Sequence, residues 1–231
     1  MKALYIIPAR GGSKGIPHKN IKVLDGKPLI CHSIDIARMF TSDENICVTT
    51  DDDEILAVVE DYGLKVPFKR PEALATDTAG TYEVIMHALD FYKANGKYYD
   101  IVVILQPTSP FRRYDDVKKC LDLYSDNYDM VVSVKRASAN PYYDCFEPNK
   151  NGFLTISKGN GSYRRRQDAP AVYEYNGAVY VMRVEALEKM NYDDFKRIGF
   201  IEMDDYSSLD LDTMLDWKYA ELLLEEGLIG K

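Results

Sequence analysis

The chain has 231 residues, enough for one large α/β domain with a real core and too few for two independent domains to sit comfortably. Its formal net charge of -8 comes from acids spread along the chain rather than from an acidic tail, which excludes general affinity for nucleic acid or anionic membrane; a phosphate ligand has to be attracted locally. With 4 cysteines in no C-x-x-C spacing, no signal-peptide pattern at the start and no apolar run near the ~18 residues of a membrane span, the expectation is a reduced, cytoplasmic protein without zinc or disulfides.

Residues 3–8 form an apolar run rich in β-formers. It breaks at Pro8 into a loop carrying Gly11, Gly12 and Gly15 with the cations Arg10, Lys14 and Lys19. Glycines let backbone N–H groups approach an anion closely and the cations neutralise phosphate charge. With Asn20 at its end, the loop reads as a nucleotide phosphate cradle in preference to an ordinary surface turn. It is not a Walker loop, because Ile16, Pro17 and His18 follow Gly15, and its glycine spacing is not that of the dinucleotide fingerprint.

Residues 28–40 place Leu29, Ile30, Ser33, Ile34, Ala37 and Phe40 on one helical face, with Pro28 suited to the first turn. A strand over 45–50 ends in Asp51, Asp52 and Asp53. A helix through Ile55, Val58, Val59 and Tyr62 closes at Gly63, and a strand over 66–68 completes a βαβ unit. Three acids at a strand end could hold a metal, but helix capping is the preferred reading. The stretch 69–81 is too rich in breakers for a central element and long enough to suggest a functional loop. After a helix over 82–92, residues 100–105 are the continuous apolar run of a parallel central strand, stopping at Gln106-Pro107-Thr108-Ser109-Pro110. Ligands of open α/β sheets lie beyond the carboxyl ends of strands, so Gln106, Thr108 and Ser109 are placed to meet a substrate.

A helix over 114–124 and a strand over 130–134 follow, and then the alternation fails. Residues 136–175 show no helical period, recurrent Asn and Gly, and three successive arginines, Arg164, Arg165 and Arg166. An insert of that kind is an arm, a lid or an oligomerisation element, and its arginines are either solvated or bidentate partners for carboxylate or phosphate. Order returns with a strand over 176–182, a short helix over 185–190 and an apolar run over 198–203. In 209–213, Asp210 and Asp212 alternate with leucines, so an extended segment projects both carboxylates from one face, as paired ligands of a hard cation require. A closing helix over 214–226 is expected to turn Leu215, Tyr219, Leu222 and Leu223 to the core.

The stretches ARGGSKGIPHKN, RPEALATDTAGT, LQPTSPFR, RRRQDAP, YEYNGAVYV and LDLDT resemble, in order and approximate spacing, the motifs of the N-acylneuraminate cytidylyltransferases, which make CMP-sialic acid and related CMP-nonulosonates. The resemblance runs over nearly the whole chain. It implies an α/β fold of the Rossmann-like nucleotidyltransferase kind, a mostly parallel mixed sheet with helices on both faces, in one domain over 1–231 with 136–175 as an arm that builds a homodimer. It also implies transfer of CMP from CTP to the anomeric hydroxyl of a nine-carbon 2-keto sugar acid, releasing pyrophosphate and requiring a divalent ion, Mg²⁺.

The same resemblance assigns Ala9, Arg10, Gly11, Gly12, Ser13, Lys14 and Lys19 to the triphosphate and Asn20 to the ribose or phosphate region. Arg70, Gly80 and Thr81 frame the cytosine, and Asp210 and Asp212 hold the metal. Arg10, Lys14, Lys19, Asp210 and Asp212 are the catalytic set. Gln106, Thr108, Ser109, Tyr143, Arg166, Gln167, Asn176 and Tyr180 face the acidic sugar, Arg166 its carboxylate. One departure stands out: sialic-acid enzymes have a lysine a short way past a proline where this chain reads Asn140-Pro141-Tyr142-Tyr143-Asp144. An aromatic wall at Tyr143 suits a less hydroxylated sugar such as legionaminic acid. Alternatives are an octulosonate cytidylyltransferase, a sugar-phosphate guanylyltransferase, or a non-catalytic nucleotide-binding assembly subunit.

Overall fold

The computed structural model describes residues 1–76 and 80–229; residues 77–79, at the centre of the 69–81 loop, lie outside the described residues. In chain order the elements are β1 (Ala3–Pro8), β2 (Val23–Leu24), β3 (Lys27–Pro28), α1 (Leu29–Arg38), β4 (Ile46–Thr49), α2 (Asp53–Asp61) and α3 (Thr81–Ala94). They continue with β5 (Ile101–Leu105), α4 (Tyr114–Leu123), β6 (Met130–Arg136), β7 (Phe146–Pro148), β8 (Leu154–Ile156), β9 (Tyr173–Arg183), α5 (Val184–Leu187), β10 (Ile198–Glu202) and α6 (Met214–Glu225).

The central sheet runs β10-β6-β9-β5-β1-β4, with β9 antiparallel to both neighbours and the other pairs parallel. Alternate residues of the central strands serve opposite faces. Tyr5, Ile7 and Val103 pack with Ile30 and Ile34 of α1, Val59 of α2 and Val117 of α4. Leu4, Ile6, Val102 and Ile104 pack with Ile85 and Leu89 of α3 and Leu187 of α5. Because both faces are covered, β1 and β5 read as unbroken apolar runs. Cys31, Cys47 and Cys120 are buried as free thiols and Cys145 is half-buried, also free. Among the described residues no helix is long and apolar enough to cross a membrane.

A third cluster bears directly on the cleft. Ile16 of the opening loop, Leu24, Leu29, Phe111, Leu211, Trp217 and Ala220 form a small core of their own. It joins three segments that are remote in sequence: the glycine loop, the turn after β5 and the approach to α6. Leu211 is fully buried there. Leu211→Ala should cost about 2–5 kcal/mol of stability by transfer loss and cavity formation; a denaturation midpoint equal to wild type would remove Leu211 as the anchor.

Three expectations need correction. Residues 66–68 form no strand: only an isolated bridge pairs Thr50 with Lys69, and Pro67 offers no N–H to a ladder. The insert is partly regular, since β6 and β9 extend into it and pair Val134 with Tyr175 and Arg136 with Tyr173, and β7 and β8 make a hairpin beyond. The third concerns α6, which buries Trp217, Ala220 and Leu223 while Leu215 (76% exposed), Tyr219 and Leu222 face outward. Apolar residues surround most of this helix, so periodicity could not choose its face. The seat for Trp217 in the third core does.

The start of α6 is held by a capping box. Thr213 Oγ1 accepts the Asp216 N–H at 3.3 Å while the Asp216 carboxylate accepts the Thr213 N–H at 2.6 Å. Burial pushes the Asp216 carboxyl up, but hydrogen bonds from the Thr213 hydroxyl and backbone outweigh it and hold the group below the usual carboxylate range. A carboxyl depressed on folding contributes stability above its unfolded pKa and loses it as pH falls through the folded value. Asp216→Asn should therefore lower stability at neutral pH by roughly 1 kcal/mol and shrink this difference below pH ~4, read by denaturation followed at Trp217.

Candidate active site

The glycine loop crosses the carboxyl ends of β1 and β4. The Ala9 N–H donates to Thr49 O at 3.0 Å, continuing the β1–β4 ladder by one bond. The Gly11 N–H donates to Asp51 Oδ1 at 3.0 Å, and Gly12 turns with φ +67°, in the left-handed region. Asn20, buried, donates from Nδ2 to Arg10 O at 3.0 Å and so braces the loop from beneath. Asp52 caps α2 by accepting from the Glu54 and Ile55 N–H groups, and Asp53 pairs with Lys69. The acids at 51–53 are occupied in loop and helix contacts, in keeping with the capping reading.

A cavity of about 520 Å³ lies over the strand ends. Arg10, Ser13, Lys14, Lys19 and Asn20 form one wall; Arg70, Gly80 and Thr81 form another; Gln106 and Thr108 close the side toward β5; Asp212 enters from the far end of the chain. Arg70 is buried, with Nε donating to Thr49 Oγ1 at 3.1 Å, and desolvation lowers its pKa. Gly15 also lines it, and Pro8, Leu74, Thr76, Val84 and Pro107, to which the sequence assigned no site role, complete the lining. Val84 belongs to the regular apolar face of α3, which hides such a role.

Lys19 and Asp212 meet at this cavity, whereas Asp210 is not among its lining residues. Lys19 Nζ donates to Leu211 O at 2.7 Å and to Asp212 Oδ1 at 3.0 Å, the Asp212 side chain being largely exposed. Asp210 is half-buried, and burial pushes its carboxyl above the ordinary range, against a hydrogen bond from Thr108 that pulls it down; the charge of Asp212 raises it further. Asp210 Oδ1 is buried and, among the described residues, has no hydrogen-bond partner. An anionic acceptor without a partner, electrostatically coupled to a second carboxylate, is a donor set that suits a hard divalent cation with water and phosphate oxygens completing the shell. Among the described residues no group of three or more His, Cys, Asp or Glu gathers as a ready-made cage.

Gly15 carries a constraint absent from the expected site. A Cβ built there would lie 2.0 Å from the backbone carbonyl oxygen of Asp212, so loop and acid segment touch backbone to backbone.

The residues expected at the sugar divide. Gln106 and Thr108 line the cavity. Tyr180 is half-buried beside Tyr175, with its hydroxyl pushed up to about 12 by burial and with Asp210 adding to the shift. Ser109 is buried, its Oγ directed to Asn176 O at 3.4 Å. Asn176, expected to face the sugar, spends its amide within the protein: Oδ1 accepts from Ser133 Oγ at 2.7 Å, and Nδ2 donates to Ser208 Oγ at 2.9 Å. Its side chain ties β9 to β6 and to the loop after β10. Tyr143 lies half-buried in the turn after Asn140, Arg166 pairs with Asp144 at 2.6 Å, and Gln167 is exposed. Asp144 therefore meets one nitrogen of the exposed guanidinium that was expected to face a sugar carboxylate.

Arg112, at the end of the LQPTSPFR stretch, had no assigned role, yet it is a buried cation set behind the cleft. No periodicity marks an arginine in a turn.

A family model described as cytidylyltransferase matches residues 4–224. The chain belongs to the cytidylyltransferase family. Among relatives of this cytidylyltransferase, the CMP-N,N'-diacetyllegionaminic acid synthase of Legionella pneumophila is 32% identical over 226 residues, covering 97% of each chain. The N-acylneuraminate cytidylyltransferase of Escherichia coli is 35% identical over 223 residues, 95% of this chain but 51% of that longer protein. A solved CMP:2-keto-3-deoxy-manno-octonic acid synthetase complexed with CTP superposes with a TM-score of 0.71 at 20% identity, covering 98% of this chain and 99% of that one. That likeness establishes the fold: a mixed α/β sheet of the nucleotidyltransferase kind.

Proposed function

We propose that this cytidylyltransferase transfers CMP from CTP to the anomeric hydroxyl of a nine-carbon 2-keto sugar acid, of the legionaminate type, releasing pyrophosphate. The observation that carries the reading is the convergence of Arg10, Ser13, Lys14 and Lys19 with Asp212 in one cavity beyond the strand ends. Displacement at phosphorus asks the protein for charge neutralisation and in-line placement more than for covalent chemistry. Arg10, Lys14 and Lys19 hold the triphosphate from the loop side, and backbone groups of Ala9, Gly11 and Gly12 shape the cradle. Asn20 keeps Arg10's carbonyl, and so the loop, in register with the ribose and phosphates. Arg70, Gly80 and Thr81 frame the base.

The sugar enters past Gln106 and Thr108. Its hydroxyl oxygen forms the new bond to the α-phosphorus, the bond to the bridging oxygen breaks, and the hydroxyl proton is released with pyrophosphate as leaving group. Asp210 and Asp212 would hold Mg²⁺, which when bound neutralises charge developing on the phosphates. Lys19, tied to Asp212, keeps the acid pair against the phosphate loop.

The legionaminate preference draws support from Tyr143 in place of a lysine and from the full-length match to the legionaminic acid synthase. Pyrophosphate release across CTP, UTP, GTP and ATP with N-acetylneuraminate, N,N'-diacetyllegionaminate and 2-keto-3-deoxy-octonate tests the whole reading. CTP with legionaminate should give the highest kcat/KM. A higher value for N-acetylneuraminate would remove the sugar preference, and a higher value for octonate or another nucleotide would remove the function.

The chain acts as one catalytic domain in the cytoplasm, where CTP is made, and two copies pair through the arm at 136–175. The arm exposes Phe146, Phe153 and Leu154, an apolar group that an isolated domain has little reason to display. Phe153→Asp with Leu154→Asp should turn a dimer into a monomer by sedimentation; a wild type already monomeric would exclude the arm as an interface.

A further inference from the structure

Arg112 is 3% exposed, and among the described residues it forms no ion pair. Its Nη1 donates to Ala178 O at 2.9 Å and its Nη2 to Ser33 Oγ at 2.7 Å and to the carbonyl of Gln106. One guanidinium thus joins β9, α1 and the turn that leaves β5. Its Nε is buried and has no hydrogen-bond partner among the described residues; burial lowers the pKa of the guanidinium, and the charge of Asp210 works against that shift. Asp210 in turn has a buried, unpartnered Oδ1.

Between the two stands the 106–108 turn. Thr108 hydrogen-bonds Asp210 and accepts the Leu211 N–H at 2.8 Å on its own carbonyl. A buried guanidinium is costly, and so is each unspent buried polar atom; with no hydrogen bond between Arg112 and Asp210, the path from one to the other runs through the 106–108 turn.

We propose that Arg112 is a positioning residue for Asp210: it closes the 106–108 turn, and through Thr108, which holds the Asp210–Leu211 segment, it fixes the carboxylate so that it meets a divalent cation in one orientation. This role rests on the proposed function, in which Asp210 holds that cation. Arg112 itself has no contact with substrate. Nη2 holds the turn at the Gln106 carbonyl, and Nη1 ties the guanidinium to β9 at Ala178 O.

Terbium(III), a hard oxygen-seeking cation excited through nearby tyrosine, reads the site without turnover; Tyr180 senses the charge of Asp210 and is placed as the donor. The full chain without nucleotide should show saturable sensitised emission that Asp210→Asn abolishes. Emission unchanged in Asp210→Asn would overturn the metal reading itself, independently of Arg112. Arg112→Met should raise the half-saturating terbium concentration about tenfold, within the usual range of coupling between sites. Cation-free CTP affinity by calorimetry should stay within about twofold, because coupling confined to the Asp210 site leaves the nucleotide wall intact. An unchanged or tighter terbium midpoint, or an equal loss of CTP affinity, overturns the role. If Arg112→Met does not fold, Ser33→Ala removes one anchor of the guanidinium while keeping its charge. It should shift the terbium midpoint in the same direction by about threefold, on the weaker side of that coupling range; no shift overturns the role.

Discussion

Asp210→Asn is expected to lower kcat for CMP transfer by about 10²–10³-fold, the cost of removing one preorganised charge from such a site, while KM for CTP changes little. The substitution is nearly isosteric, so the Thr108 contact and the buried seat of Leu211 can persist. What it removes is the charge of a carboxylate that is half-buried, lifted in pKa and left with an unpartnered oxygen. A group with those properties is expensive for the folded state to keep. On the proposed function its value lies in a cation that acts mainly in the transition state, so the loss should fall on kcat rather than on nucleotide binding. Steady-state kinetics with Mg²⁺ varied at saturating CTP measures it. Wild-type turnover in Asp210→Asn would detach the acid pair from the chemistry and leave a nucleotide-binding protein in its place.

Gly15→Ala should be nearly as damaging, for a different reason. The added methyl would come within 2.0 Å of the Asp212 carbonyl oxygen, and the obstacle is backbone, with no flexible side chain to swing aside. Either the phosphate loop or the 209–213 segment has to move by more than an ångström. Overpacking of this kind costs about 1–3 kcal/mol, and a displacement of about 1 Å in a positioned site costs about 10²-fold in rate. Both signatures are expected together: a lower thermal midpoint and a fall in kcat/KM for CTP of about that size. Gly12→Ala is the control. Gly12 has nothing within 4 Å of an added Cβ, so its penalty is the left-handed backbone alone. If Gly15→Ala proves no worse than Gly12→Ala, the contact between the two halves of the site is not essential.

The central strands and the helices at 29–38, 53–61, 81–94 and 114–123 were legible because their burial is two-sided or strictly periodic, and those patterns are local. The glycine loop over the strand ends was legible because glycines and cations follow a strand with a spacing that no ordinary turn requires. Asp210 and Asp212 were legible through alternation with leucines. The structure adds that these leucines enter the third core, Leu211 fully and Leu209 at its margin.

The amino-acid order by itself thus determined the class of fold, the elements that carry the cleft and many of the side chains that line its cavity. Only the tertiary structure decided which of the remaining polar residues are spent in the framework. Asn176 closes a hydrogen-bonded link between strands, Arg166 is taken by Asp144, and α6 turns Trp217 inward and leaves Leu215 outside. It also brought Gly15 against Asp212, nearly two hundred residues away, and buried Arg112 on the carbonyls of Gln106 and Ala178. The physical reason is the same in each case: a side chain's residue type states what it can bond to, but which partner it meets depends on packing between segments that share no local pattern.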